Sequence, residues 1–143
     1  MREYLIEVRS CLKGLHDEEN LEITTVGSFS GQADRYHIAY DETPGSGMEG
    51  AVTSLTVDGA DTITLERTGS TNMRMILEKG QRHLCHYDTG FGDLMVGVFT
   101  EDIHSNLGHD GGELNFKYSV DINSEFSSDT EVFITVKEAG FHA

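Results

Sequence analysis

The longest regular feature of the chain runs from Leu114 to Ile122. Leu114, Phe116, Tyr118, Val120 and Ile122 alternate there with Asn115, Lys117, Ser119 and Asp121. Successive side chains of an extended strand point to opposite faces, so this alternation describes a ribbon with one apolar face and one polar face. The same period recurs along almost the whole chain. One parity is shared by Tyr4, Ile6 and Val8; by Leu21, Ile23, Thr25, Gly27 and Phe29; and by Tyr36, Ile38 and Tyr40. Further groups are Leu55 and Val57, Ile63 and Leu65, Met73 with Met75 and Leu77, Leu84 with His86, Phe91 with Met95 and Phe99, and Val132 with Ile134 and Val136. No stretch carries a helical period.

Short turn signals separate these runs: Asp58–Gly59, Thr68–Gly69, Lys79–Gly80, the TGFG stretch at 89–92 and the DGG stretch at 110–112. Hairpins in series, each with one apolar face, predict an all-β, up-and-down antiparallel meander. A meander of about eight to ten strands removes its exposed edges best by closing into a barrel. A sandwich is the alternative that periodicity leaves open. With no low-complexity linker and no repeat, residues 1–143 read as a single domain.

The chain carries 10 basic and 25 acidic residues, a net charge of −15. That field repels nucleic-acid phosphates and anionic membrane surfaces, so neither is an expected partner. The N-terminal MREYLIEVRS lacks a signal-peptide apolar core, and no apolar run approaches the roughly 20 residues of a transmembrane helix, which predicts a cytoplasmic protein. Cys11 and Cys85 are too few for a disulfide framework and are expected to be thiols.

The segment GSGMEG, residues 45–50, has the spacing of a dinucleotide-binding fingerprint. Such a loop needs a helix after it to hold the pyrophosphate. The next residues are AVTSLTVDG, β-branched, alternating and ended by a turn. From Tyr36 through Glu66 there is no Lys or Arg, while six acids stand there, Glu66 included. The glycines therefore read as a turn and a barrel-rim loop, not as a phosphate cradle.

The stretches TTVGSF (24–29), YHIAYDETPGSGMEGAVTSLTV (36–57), ERTGSTN (66–72), KGQRHLCHYDTGFGDL (79–94) and GGELNFKYSVDIN (111–123) resemble the bacterial YwiB-like family, also described as domain of unknown function 1934. The resemblance spans nearly the whole chain in order. It implies a lipocalin-like (calycin) β-barrel and no assigned activity. Binding of small apolar molecules, common in calycin barrels, is implied by it only as an analogy of fold.

Charged side chains that share a parity with core residues are the most informative positions. Arg67 follows Ile63 and Leu65, Arg82 precedes Leu84 and His86, Glu49 matches Leu55 and Val57, and Tyr118 stands among Leu114, Phe116, Val120 and Ile122. These groups are expected inside the barrel or at its mouth. A buried guanidinium does not discharge by losing its proton and requires an anionic or hydrogen-bonding partner. One solution is internal: Glu49 pairs with Arg67 or Arg82, and Tyr87 or Tyr118 completes the network. The other is a ligand carboxylate or phosphate gripped by the arginines, with an apolar tail along the wall. Internal pairing is the commoner fate of a buried charge.

His83, Cys85 and His86 suggest metal ligands, but on a strand His86 faces away from the other two, and a zinc site needs three or four convergent ligands. No metal or cofactor is expected. Cys85 has no triad neighbours on its strand. His104, His109 and Asp110 belong to a Gly-rich hairpin, and Met73, Met75 and Met95 read as core. The leading functional expectation is a binding protein for a small, anionic, partly apolar ligand, with Arg67 and Arg82 holding the anion and Glu49, Tyr87 and Tyr118 orienting them. The alternative is a protein-interaction module using an outer face or the rim loop 41–50. An enzyme ranks last, because no acid–base pair or nucleophile emerges.

Overall fold

The computed structural model describes residues 3–14, 16–32, 34–42, 50–59, 61–69, 72–88 and 93–139, except the side chains of residues 86–88, 93 and 94. These residues form β1 (Tyr4–Lys13), β2 (Glu18–Gln32), β3 (Arg35–Asp41), β4 (Ala51–Asp58), β5 (Thr62–Gly69), β6 (Met73–Glu78), β7 (Arg82–Asp88), β8 (Asp93–Gly108), β9 (Gly111–Ile122) and β10 (Glu125–Glu138). No helix among them is long and apolar enough to cross a membrane.

The ten strands make one antiparallel sheet in the order β6-β5-β4-β3-β2-β1-β10-β9-β8-β7. Each strand but β6 and β7 lies beside both its sequence neighbours, and β1 also pairs with β10, from Tyr4 opposite Glu138 to Lys13 opposite Asp129. The sheet curls into a nearly closed barrel whose seam lies between β6 and β7. Among the described residues β6 and β7 form no ladder with each other; the turn between them is held to β8 instead, where the Gly80 N–H donates to the Thr100 carbonyl at 2.8 Å and the Thr100 N–H donates to that of Gln81 at 3.3 Å. Glu78 on β6 meets His83 on β7 across the seam at 2.8 Å. On β8, Asp102 takes Lys79 of the turn at 3.3 Å and its strand neighbour His104 at 2.7 Å. Partial burial raises the Asp102 carboxyl, but the hydrogen bonds from Lys79 and His104 outweigh it and hold the group below the usual carboxylate range.

Alternation explains most of the core. In β4 each odd residue is buried and each even one faces outward. Antiparallel hairpins place the C-terminal ends of β1, β3, β5, β7 and β9 at one end of the barrel, the rim end, and their N-terminal ends at the other. The second end is filled. Val57, Ile63 and Leu77 stand in register across three strands, and Ile6, Leu114 and Val136 meet them, all with 2% exposure or less. Tyr4, Phe29 and Tyr36 pack as a ring cluster on the same side, with centroids 5.3 and 5.9 Å apart.

The parity expected for β7 and the start of β8 is corrected. Leu84, Met95 and Phe99 are 57%, 37% and 39% exposed and lie on the outer face. Here apolar residues stand on both parities, Leu84 beside Cys85, Met95 beside Val96 and Phe99 beside Val98, so alternation does not choose a face. The register with β9 chooses it, setting Val98 opposite Val120 and Phe99 opposite Ser119. A bulge between Thr100 and Asp102 then switches the inward parity of β8, from Val98 and Thr100 to Ile103. The β9–β10 hairpin turns through Asn123 and Ser124, both at positive φ, the geometry of a type I′ turn made here without glycine.

Candidate functional site

Toward the rim end the interior turns polar. Tyr40 on β3, Thr53 on β4 and Arg67 on β5 are cross-strand partners in one row, so their inward side chains meet. Glu42, the residue after β3, continues the inward parity of Ile38 and Tyr40. Its N–H donates to the Ala51 carbonyl at 2.9 Å, which fixes where its side chain starts.

The Arg67 Nε–H donates to Thr53 Oγ1 at 3.2 Å and lies 3.8 Å from Glu42 Oε2; the Thr53 hydroxyl donates to that same carboxylate oxygen. The Glu42 side chain is 2% exposed and that of Arg67 20%. Burial, and then the Glu42 charge, push the Tyr40 hydroxyl up to about 12. On the facing wall Tyr118 hydrogen-bonds its cross-strand partner Thr130. Burial raises the Tyr118 hydroxyl, while the Arg67 charge and the Thr130 bond pull it down by less. Arg67 thus acts electrostatically on a tyrosine from each wall.

Between these walls lies a cavity of about 280 Å³, lined by Glu42, Arg67, Tyr40, Tyr118, Thr130 and Ser10 together with apolar side chains such as Leu21, Leu65, Phe116 and Val132. Glu19 stands at its edge and is exposed. Apolar walls with a few convergent polar groups are the composition of a small-molecule site. Both contacts of Arg67 with described residues run through Nε, which engages one of its five N–H donors. The rest of the fork is the part that matches a carboxylate or phosphonate-type oxygen pair.

Of the residues singled out from the sequence, the structure brings Arg67 and Tyr118 together at the cavity. Arg82 is a correction. It lies on the outer face, 43% exposed at its side chain, and forms a two-pronged ion pair with Asp121 at 2.6 and 2.9 Å. Its partner on β8 is Phe99, also outward, in keeping with the register that overturned the parity of β7. Gly97 lies beneath this pair, and a side chain there would strike both Arg82 and Asp121. The bond to Asp121 holds the Arg82 proton more tightly than usual, and the bond from Arg82 lowers the Asp121 carboxyl. Glu49 lies outside the described residues, as does most of the 45–50 segment; the segment after it is strand β4, not a helix. The Tyr87 side chain is also outside them, though its backbone pairs with Leu94.

Sequence reasoning missed Glu42, Thr53 and Tyr40. Glu42 was legible: it continues the parity of Tyr36, Ile38 and Tyr40 by one step. Thr53 in a β-branched strand carried no signal. His83 and Cys85 share a face as expected, but with the corrected parity of β7 it is the inner one, His83 standing opposite the buried Val98 and bound to Glu78. Burial raises the Cys85 thiol, which does not favour the thiolate. Among the described residues no group of three metal-ligating side chains converges.

Residues 6–134 match the model of the family described as Domain of unknown function (DUF1934). Over 138 residues the chain is 22% identical to the uncharacterized beta-barrel protein YwiB of Bacillus subtilis (strain 168), covering 96% of this chain and 94% of that protein. The crystal structure of the ywiB protein from Bacillus subtilis superposes with a TM-score of 0.73 at 17% identity, over 94% of this chain and 91% of the other, a likeness of fold. With ten antiparallel strands curled into a nearly closed barrel and a family model matched over almost its full length, the chain belongs to the DUF1934 family of uncharacterised β-barrel proteins.

Proposed function

We propose that the protein binds a small, anionic, partly apolar molecule at the rim end of the barrel, in a cytoplasmic setting. Arg67 receives the anionic group, Tyr40 and Tyr118 flank it, and the apolar part lies against Leu21, Leu65, Phe116 and Val132. The observation that carries this reading is a largely buried guanidinium beside a cavity of about 280 Å³ between the protein walls, engaged with described residues through Nε alone. A structural ion pair needs no such space, since protein interiors close around their contents.

Thermal denaturation with octanoate tests it, with 1-octanol as the uncharged control. A ligand at 100 times its Kd adds about 2.7 kcal/mol, a shift of several degrees in a domain of this size. Octanoate should raise the midpoint, octanol should raise it less, and the octanoate effect should vanish in Arg67→Met. No shift with octanoate or with a panel of organic anions would remove the proposal.

A second reading, a protein-interaction module, is favoured by one observation. Leu84, Met95 and Phe99 expose their side chains together on the outer face of β7 and β8, around Gly97. Exposed apolar clusters mark interaction surfaces in soluble proteins. Recovery of a stoichiometric protein partner that is lost in Leu84→Ser and retained in Arg67→Met would favour this reading over the first.

A further inference from the structure

We infer that the cavity takes its ligand as a monoanion accompanied by one proton, and that the proton is received by Glu42. This rests on the ligand-binding reading above and deepens it, because it fixes the charge class of the ligand. Among the described residues, the titratable and charged groups facing Glu42 and the cavity are Glu19 on β2, Tyr40 on β3, Arg67 on β5 and Tyr118 on β9. Among the described lining residues Arg67 is the one cation, and Glu42 already neutralises it. Apart from Glu19 at the edge, the other described lining residues contribute hydroxyls and apolar side chains.

An anionic headgroup on the Arg67 fork arrives beside the Glu42 carboxylate, since Nε and Oε2 are 3.8 Å apart. Two negative charges would then share one cation. Water cannot screen them well, because the Glu42 side chain is 2% exposed. Like charges in one poorly solvated site do not both stay ionised, and one carboxylate is protonated. Glu42 is the titratable member when the ligand is a strong-acid anion. Its protonation returns the site to neutrality and creates an O–H that can donate to the headgroup. No bond is made or broken apart from this proton, which comes from solvent. A dianion gains less: after Glu42 takes its proton, the second negative charge still has no cation to meet among the described residues. The site therefore selects singly charged amphiphiles such as carboxylates and sulfonates over phosphate monoesters.

The test is isothermal titration of the full chain with octane-1-sulfonate, whose headgroup does not titrate, between about pH 6 and pH 8 in buffers of different ionisation enthalpy. The affinity should fall about tenfold per pH unit on raising pH, with about one proton taken up per ligand bound. In Glu42→Gln the sulfonate should still bind, with a flat pH profile and no uptake. At about pH 8, where a phosphate monoester is a dianion, octyl phosphate should bind at least about tenfold more weakly than the sulfonate. Sulfonate binding that is flat with pH and takes up no proton in the unsubstituted protein overturns the inference and leaves the ligand-binding reading standing. A pH slope that persists in Glu42→Gln overturns the assignment to Glu42. No heat and no thermal stabilisation at any pH removes both.

Discussion

The two ends of the barrel are built from the same strands and solve opposite problems. At the packed end Ile6, Val57, Ile63, Leu77, Leu114 and Val136 close the interior with apolar side chains and leave almost nothing exposed. At the rim end the same strands offer Tyr40, Glu42, Thr53, Arg67, Tyr118 and Thr130 around a cavity. Burying an ion pair is costly, and it is often no more stabilising than apolar packing of the same volume. The rim end is therefore a poor place to look for the stability of the fold and a good place to look for its use. The closed end supplies the stability that lets the open end keep space and charge.

The largest expected effect lies at the packed end. Leu77→Ala should cost about 2–5 kcal/mol in urea unfolding, as truncation in a tight core does. Leu21→Ala, on the cavity wall, should cost less than about half as much, because part of its side chain borders the cavity and not other side chains. Equal losses at the two positions would break the contrast between the ends.

Next is the ion pair. Glu42→Ala leaves the Arg67 guanidinium without its acid and should cost about 1–3 kcal/mol, less than a fully buried pair because Arg67 retains some exposure. The double change Glu42→Gln with Arg67→Met should be more stable than Glu42→Ala, read by the same unfolding midpoints.

Tyr40 sharpens the contrast through pH. Folding favours its neutral hydroxyl, lifted from 10.0 to about 12. A raised folded value for an acid means that stability present below the unfolded value is lost as pH rises through the folded one. Between about pH 10 and 12 the protein should lose on the order of 2 kcal/mol through this group, and Tyr40→Phe should flatten that part of the alkaline unfolding curve. An unchanged curve would show that Tyr40 is more solvated than its position implies.

The smallest effect is on the outer face. Arg82→Ala removes an exposed pair with Asp121 and should leave the unfolding midpoint nearly unchanged and ligand binding intact. Loss of ligand binding in this variant would put the site on the wrong side of the sheet.

The strands of the packed end are readable because each carries apolar residues on one parity only, as in β4 and in β9 from Leu114 to Phe116. Reading fails where both parities are apolar. At β7 and β8, Leu84, Met95 and Phe99 look as suited to the core as Cys85, Val96 and Val98, and pairing with β9 and the bulge after Thr100 decide between them. That slip carries Arg82 to the wrong face. Of the site, Arg67 and Tyr118 are visible as polar groups on apolar parity. Glu42 is legible by the same rule, one step along the parity of Ile38 and Tyr40, and is passed over because the stretch after Asp41 reads as loop; the meeting of Thr53 with Arg67 is not legible, because it depends on register between strands. Alternation states which side a residue faces; the neighbour it finds there comes from the pairing.

The division between a filled end and a ligand-ready end is tested most directly by mapping amide chemical shifts during an octanoate titration. Changes should concentrate at Tyr40, Glu42, Thr53, Arg67, Tyr118 and Thr130 and be near zero at Ile6, Ile63, Leu77 and Val136. Changes centred on Leu84 and Phe99, or spread evenly through both ends, would contradict it.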